Sequence, residues 1–327
     1  MEMPANVLKE LHREARSNVP ALLFNLVAVF AAGFSLATGW PTGHWGWIVF
    51  MTVWLAYFQH CWTLIFHEDA HYTLYKARWH NILNGTIVGT LLMVPFNVYR
   101  QVHIRHHNRM NSPEDFELWP YTDPTLSVSF RRAFVAFDIL LGLWAGPYIY
   151  GRMYFVKDSP IKDPGVRRRI ALEYALIVVF WSSLLAAVAL NGWWREFALV
   201  YLIPAWLTGV FQTLRKLTEH LGLPAGDPMH GARTILAQDW VGRFAAWTSF
   251  HVEQHGLHHK YPQMPHGNLE RAIEATETRV GAPVFPTYWS AMCDMFPHLA
   301  RPGIGVNAWD RRAGRDLVGS GASPESN

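Results

Sequence analysis

Three short clusters of histidine are the residues of this sequence best suited to chemistry. The chain has 17 histidines among 327 residues, and the clusters read HEDAH at 67–71, HIRHH at 103–107 and HVEQHGLHH at 251–259. Residues three or four apart share one face of a helix, so each cluster can present two or three imidazoles to one point. Imidazole is a good ligand for iron, zinc, copper and nickel. Eight or nine convergent histidines favour two metal ions rather than one.

Carboxylates next to these clusters are candidates for supporting the metal ligands. A ligating histidine usually donates its second ring N–H to a carboxylate or a carbonyl, which fixes the orientation of the ring. The candidates by position are Glu68, Asp69, Glu114, Asp115, Glu219 and Glu253. The alternative interpretation, that these are ordinary solvated charges, remains open for each of them.

Long apolar segments must position the clusters, and they predict an all-α integral membrane protein. Four segments have the length and apolarity of a transmembrane helix. They are residues 21–38, 47–66, 171–190 and 197–214. Two shorter apolar segments, 82–96 and 134–150, contain Gly and Pro and are predicted to be re-entrant or interfacial. If 82–96 crossed the membrane, the second cluster would lie on the opposite side from the first, so the metal hypothesis requires that it does not cross.

The distribution of charge predicts the orientation of the chain. Of 28 Lys and Arg residues, only Arg195 lies in the two loops 39–46 and 191–196. The positive-inside rule therefore places both termini and all three clusters in the cytoplasm. The formal net charge of +3 gives no indication of nucleic-acid binding. Cys61 and Cys293 are far apart, so neither a disulfide framework nor a thiolate metal site is supported.

The same features predict the division of the chain. Residues 1–20 read as a cytoplasmic N-terminal helix, and 21–302 as one membrane domain. Within that domain, 220–302 is polar enough to form a cytoplasmic helical cap that carries the third cluster. Residues 303–327 are rich in Gly, Ser and charge, which is typical of a disordered tail.

The clusters and the residues after them resemble the histidine boxes of the membrane fatty acid desaturase and hydroxylase superfamily. HVEQHGLHHKYPQMP at 251–265 resembles the last box of these enzymes with its trailing Tyr-Pro-x-x-Pro. HIRHHNRMNSPEDFE at 103–117 resembles the second box, followed by an Asn-x-Pro-x-Asp run, and HEDAH fits the first. The resemblance extends over about residues 21–269.

This resemblance implies a centre of two iron ions, with oxygen as co-substrate. Carried over residue by residue, the implied ligands are His67, His71, His103, His106, His107, His220, His255, His258 and His259. One position departs from the pattern. Several relatives have an Asn four residues before the histidine that His220 matches, and this chain has Lys216 there. His251 or a water molecule would then complete the second iron site.

The resemblance also implies the reaction and the partners. Fatty acyl desaturation is the favoured reaction, and hydroxylation or ketolation of a lipid, alkane or carotenoid is the alternative. The substrate would be a lipid or fatty acyl chain in the membrane. The chain contains no flavin, haem or iron–sulfur motif, so electrons would come from a separate ferredoxin, rubredoxin or cytochrome.

Two other functions fit parts of the sequence. His67-Glu68-x-x-His71 matches the HExxH signature of zinc metallopeptidases, in which two histidines bind zinc and the glutamate activates water. That function would leave the other clustered histidines unexplained. A membrane electron carrier with haem bound between paired histidines is the second possibility, although haem ligands usually stand singly on facing helices.

Overall fold

Helices form nearly all the regular structure of the protein, as the sequence predicts. A computed structural model describes residues 3, 5–13, 18–275, 282–310 and 315–316. The helices are α1 (Ala5–Arg13), α2 (Val19–Thr38), α3 (Trp45–His71), α4 (Arg78–Leu91), α5 (Phe96–Asn108), α6 (Val128–Leu140), α7 (Gly142–Phe155), α8 (Pro164–Asn191), α9 (Trp194–Phe197), α10 (Ile203–His220), α11 (Pro228–Gly231), α12 (Trp240–Thr248), α13 (His255–Lys260), α14 (Leu269–Ala275) and α15 (Tyr288–Met295). A π-helical turn, Ala198–Leu202, joins α9 to α10.

Four membrane-spanning candidates are found among the described residues, in agreement with the sequence analysis. They are α2, α3, α8 and the continuous unit from α9 to α10, with mean hydropathies of 2.1, 1.4, 2.0 and 1.6. Large apolar side chains on these helices face outward, such as Phe30 at 70% exposure and Leu190 at 87%. Such an exposed apolar surface suits contact with lipid rather than water.

Two of these helices extend beyond the predicted spans. The second span was predicted as 47–66, but α3 continues to His71, and the fourth was predicted as 197–214, but α10 continues to His220. The added turns carry polar and charged residues, including Glu68 and Asp69, which a hydropathy criterion excludes. They remain helical because the rest of the protein buries them; Asp69 is 0% exposed.

The two shorter apolar segments are bent helix pairs. α4 and α5 meet at 104°, and α6 meets the main part of α7 at 119°. Each predicted segment, 82–96 and 134–150, therefore runs across a break rather than along one helix. Pro95, directly before α5, has no N–H to continue the hydrogen bonding of α4. The chain leaves the histidine cluster at the end of α3 and returns to it on α5, so both ends of the α4–α5 pair lie at the histidine groups, as the metal hypothesis requires.

The helix α3 lies at the centre of the membrane part. It packs against α2, α4, α5 and α10. The hydroxyl of Thr208 on α10 donates to the carbonyl of Ala56 on α3 at 2.9 Å, which ties these two helices together. The backbones of α7 and α10 also come into direct contact at Gly142 and Gly209. The two helices that end in histidine, α3 and α10, are thus packed side by side.

The polar cap after α10 consists of helices α11 to α15 and very short strands. Strand β1 (Thr234–Ile235) pairs in parallel with β2 (Val284–Phe285), and β3 (Trp309–Asp310) pairs antiparallel with β4 (Arg315–Asp316). The N-terminal helix α1 packs on the cap, where Leu11 is buried beside Leu257. The cap therefore includes strand structure that the sequence did not indicate.

The beginning of the predicted tail is ordered. Ile304 is fully buried, and its N–H donates to the carbonyl of Tyr121 at 3.1 Å. The next residue, Gly305, donates to the carbonyl of Leu223 at 2.9 Å. The prediction of disorder is therefore wrong for 303–310, since these residues complete the packing of the cap. Residues 311–314 and 317–327 lie outside the described residues.

Candidate metal centre

Nine of the histidines form two buried groups at the junction of the membrane helices and the cap. The first group contains His67, His71, His103, His107 and His258, and the second contains His106, His220, His255 and His259. Within each group the nitrogen atoms that could bind a metal lie within 4.8 Å of one another. The structure thus brings together all nine residues that the sequence analysis named as the main ligand set.

Four helices deliver these side chains. His67 and His71 lie on the last turns of α3, and His220 is the last residue of α10. The helix α5 carries the second cluster, and the short helix α13 carries His255, His258 and His259 of the third. Helix spacing explains the pairing of His67 with His71 and of His255 with His259, because residues four apart share a face.

The second cluster is divided between the two groups. His103 and His107 are four residues apart on α5 and enter the first group, while His106 enters the second. The rings of His106 and His107 therefore diverge, with centroids 5.7 Å apart and planes at 72°. The sequence analysis placed all three on one face of a helix, and the structure shows that this face lies between the two groups.

The Nε2 atoms point inward in both groups. In the first, Nε2 of His103 lies 2.9 Å from Nε2 of His71 and 3.1 Å from Nε2 of His107. In the second, Nε2 of His255 lies 2.9 Å from Nε2 of His220 and 3.1 Å from Nε2 of His259. Imidazole nitrogens about 2.1 Å from a metal ion, at right angles around it, would be about 3.0 Å apart.

Three carboxylates fix the protonation of three of these rings. Nδ1 of His67 lies 3.0 Å from Glu68, and Nδ1 of His106 lies 2.7 Å from Asp115. Nδ1 of His103 lies 2.9 Å from Glu117. A carboxylate only accepts hydrogen bonds, so each Nδ1 carries a proton and Nε2 is left as the atom that can bind a metal ion. The Nε2 atoms of all three rings face into the histidine groups, as metal binding requires.

The histidine nitrogens suit metal ions, and some of them would have no bonding partner without a metal. Within the described part of the chain, the buried Nε2 atoms of His67 and His258 have no hydrogen-bond partner. Burial, reinforced by neighbouring imidazoles, lowers the pKa of His255, His258 and His259 well below the usual range. These rings are therefore neutral near pH 7, which is the form that binds a metal. Converging lone pairs without protons between them repel one another, and a cation removes this repulsion.

The structure places His251 outside both groups. It precedes α13, in a turn where its φ is +54°, and its Nδ1 lies 3.6 Å from Glu253. The sequence analysis assumed one helical face from His251 to His259, but the helix begins only at His255. His251 is therefore not brought to the second group as the additional ligand that was considered.

The other predicted carboxylates have different surroundings. Asp69 accepts a hydrogen bond from the side-chain amide of Asn84 at 2.6 Å, and exposed Glu114 accepts one from Ser112 at 2.8 Å. An oxygen of Glu219 lies 3.5 Å from the inward-facing Nε2 of His255, and both its oxygens accept from Arg215. Glu219 thus faces the second group itself rather than the outer side of a ring.

Two contributors to the centre were missed by the sequence analysis. Glu117 supports His103 and lies two residues beyond Asp115, within the stretch that resembled the second box. His266 donates from Nδ1 to the second oxygen of Glu68 at 2.9 Å, and the hydroxyl of Thr73 donates to the same oxygen at 2.6 Å. Glu117 could have been found from the sequence, because it lies in the stretch 103–117 that resembles the second histidine box. No sequence spacing connects His266 with Glu68.

A buried arginine holds the end of α10 in place. The guanidinium of Arg233 donates to the carbonyls of Thr218 and Leu221, both at 2.9 Å, and pairs with Asp294 at 2.8 Å. The last carbonyls of a helix have no partner within the helix. Arg233 supplies this partner beside His220 and so links the helix end to the cap.

Lys216 does not approach the metal groups as a ligand. Its ammonium forms an ion pair with Asp138 on α6, which is 2% exposed. Asp138 also accepts a hydrogen bond from the hydroxyl of Tyr121 at 3.2 Å. The Lys216 side chain is therefore held by a carboxylate, at the position where several of the resembling enzymes have an Asn.

Two cavities adjoin the centre. A cavity of about 100 Å³ is lined by histidines of both groups together with Glu117 and Lys216. A larger cavity of about 400 Å³ lies among α2, α3, α4, α7 and α10 and has mostly apolar walls. Six residues line both cavities, namely Tyr99, Gly142, Gly146, Tyr150, Gly209 and Gln212. The apolar space therefore extends up to the metal groups.

Neither alternative function agrees with this geometry. In a zinc metallopeptidase Glu68 would need an oxygen available to activate water, but both its oxygens accept hydrogen bonds from His67, His266 and Thr73. A haem needs space between its axial histidines. Here five and four histidines converge in the two groups, whereas a haem iron takes at most two, and Nε2 atoms of neighbouring rings lie only 2.9 to 3.2 Å apart, too close for a porphyrin between them.

Comparison with known proteins agrees with the geometry. The family model described as fatty acid desaturase matches residues 43–290. A Delta(12) fatty acid dehydrogenase of Crepis alpina is 24% identical over 67% of this chain and 64% of its own length. A protein of Nostoc sp. named sn-1 acyl-lipid omega-3 desaturase (ferredoxin) is 23% identical over 75% of this chain and 74% of its own.

A fatty acid desaturase of Bacillus subtilis is 24% identical over 67% of this chain and 65% of its own length. The chain thus spans a little under two thirds of the Crepis and Bacillus proteins. The family match covers most of the chain and includes all three histidine clusters, both bent helix pairs and three of the four spans. On this evidence the chain belongs to the fatty acid desaturase family and is an integral membrane oxidoreductase.

Proposed function

We propose that this protein is an oxygen-dependent desaturase of fatty acyl chains that works with two iron ions. The observation that carries the proposal is the position of nine histidines, eight of them buried, in two adjacent groups where an apolar cavity reaches the cap. Iron is proposed because neutral imidazoles suit it and because it supplies redox chemistry that zinc does not. When bound, the two irons would activate oxygen for the removal of hydrogen from an unactivated C–H bond.

The residues of the chain would hold and shield this centre. Nine Nε2 atoms would bind the irons, and Glu68, Asp115 and Glu117 would keep Nδ1 of their partner rings protonated. Burial of both groups would exclude bulk water and confine the chemistry to the bound chain. Glu219, close to Nε2 of His255, would offset part of the positive charge.

An acyl chain is the proposed substrate because the apolar cavity leads to the metal groups. Desaturation removes two hydrogens from the chain, and reduction of oxygen to two waters needs two further electrons and two protons. We infer a separate electron-donor protein, of the ferredoxin type first, with a rubredoxin or a cytochrome as alternatives. The Nostoc relative carries ferredoxin in its name, which supports the first of these.

The test is expression of the full chain in a host of defined lipid composition, together with a ferredoxin and its reductase. Lipid mass spectrometry should find acyl chains with two hydrogens fewer, and His71→Ala should abolish them. Products with one oxygen more would instead identify the alternative, hydroxylation or ketolation. Unchanged lipids, with iron bound and the donor active, would refute oxidation of acyl chains.

We also propose that the cap and both termini face the cytoplasm. Cys293 on α15 is exposed and Cys61 on α3 is buried, so the chain already contains a reporter of orientation. A membrane-impermeant thiol reagent should label Cys293 only in opened cells. Labelling of Cys293 in intact cells would refute the proposed orientation.

A further inference from the structure

We infer that Gly146 keeps open the passage by which an acyl chain reaches the metal groups from the apolar cavity; this inference rests on the proposed function. The six residues that line both cavities define a passage, named here the neck: Tyr99, Gly142, Gly146, Tyr150, Gly209 and Gln212. Three of them, Gly142, Gly146 and Tyr150, are spaced by four on α7 and so share one face of that helix.

One wall of the neck belongs to the surroundings of the first histidine group. The ring of Tyr99 stacks on His103 with centroids 5.2 Å apart and planes at 8°. Tyr150 donates its hydroxyl to Glu117 at 3.0 Å, and Glu117 in turn holds His103. The rings of Tyr99 and Tyr150 contact each other, with centroids 5.2 Å apart. A chain in the neck would therefore pass next to the residues that orient a metal ligand.

The glycines of the neck differ in the space around them. A Cβ at Gly142 would lie 2.7 Å from the carbonyl carbon and oxygen of Gly209, so this glycine allows α7 and α10 to touch. A Cβ at Gly146, one turn later, would meet no atom within 4 Å. Packing between helices thus requires glycine at 142 but not at 146. The space beside Gly146 is part of the neck, and any side chain there would occupy it.

The expected effect is a graded loss of turnover that leaves the fold intact. Gly146→Ala should lower the rate of desaturation moderately, and Gly146→Leu should lower it about tenfold or more, since overfilling a packed apolar space is costly. Both variants should keep the iron content of the parent protein. Gly46→Leu is the matched control, because Gly46 is an exposed helical glycine that also has no atom within 4 Å of an added Cβ. It should behave as the parent does.

A second measurement does not depend on turnover. In Gly146→Cys, a long-chain alkyl thiosulfonate should modify Cys at 146 faster than a charged thiosulfonate of similar reactivity, as read from peptide masses. Equal turnover in the parent and Gly146→Leu, or faster modification by the charged reagent, would overturn the inference. If the parent makes no oxidised lipid, the proposed function fails, and the labelling result still decides whether an apolar chain reaches Gly146.

Discussion

The hydrogen bond between Glu117 and His103 offers a direct test of how the metal groups are built. Glu117 accepts from Nδ1 of His103 at 2.9 Å with one oxygen and from the hydroxyl of Tyr150 at 3.0 Å with the other. Glu117→Gln keeps the shape of the side chain and removes its charge. The amide oxygen can still accept from His103, so the change isolates the charged part of the interaction.

The size of the effect follows from these contacts. Loss of a group that supports a metal ligand typically costs about 10- to 100-fold in metal affinity, or about 1.4 to 2.8 kcal/mol. A hydrogen bond to a charged group contributes about 1.5 to 3 kcal/mol, in the same range. The side chain of Glu117 is 15% exposed, and the amide of the variant keeps one hydrogen bond. We therefore expect a loss of iron affinity in the lower half of this range, about 10- to 30-fold.

The assay is iron retention against a graded series of chelator concentrations, with the protein purified in detergent. Glu117→Gln should release the iron of the five-histidine group at about 10- to 30-fold lower chelator concentration, while the other iron is retained. Glu114→Gln is the matched control, because Glu114 is exposed, lies in the same loop and contacts Ser112 rather than a histidine. Equal retention by Glu117→Gln and the parent protein would refute the role assigned to Glu117.

Three further predictions concern the surroundings of the centre. Lys216→Met should lower the free energy of unfolding by about 3 to 5 kcal/mol, because it leaves the buried carboxylate of Asp138 without its cationic partner. Thermal unfolding in detergent measures this, and the added change Asp138→Leu should restore most of the loss. Arg233→Met should lower the free energy of unfolding by a similar amount, because the end of α10 loses the guanidinium that binds its carbonyls. It should also lower the iron content, and full iron content at a lower unfolding temperature would contradict this expectation. His251→Ala should keep both irons while His255→Ala loses one, and metal analysis with the opposite result would show that the grouping of ligands is wrong.

The sequence alone determined the family, the four spans and the histidines that meet. These features depend on local information: apolar runs of about 20 residues, and imidazoles repeated at helical spacing. The sequence also showed that this chain has Lys216 where several relatives have an Asn. The return of the chain to the first cluster through α4 and α5 was also predictable, because the metal hypothesis requires the first and second clusters to meet.

Only the tertiary structure decided how the histidines are shared and what surrounds them. The division of the α5 histidines, the exclusion of His251 and the contact of His266 with Glu68 each depend on where a helix begins or on residues about 200 positions apart. The neck likewise forms between α7 and α10, whose approach is set by Gly142 and Gly209. Helical spacing shows which side chains share a face, but the packing of one helix against another decides what that face meets.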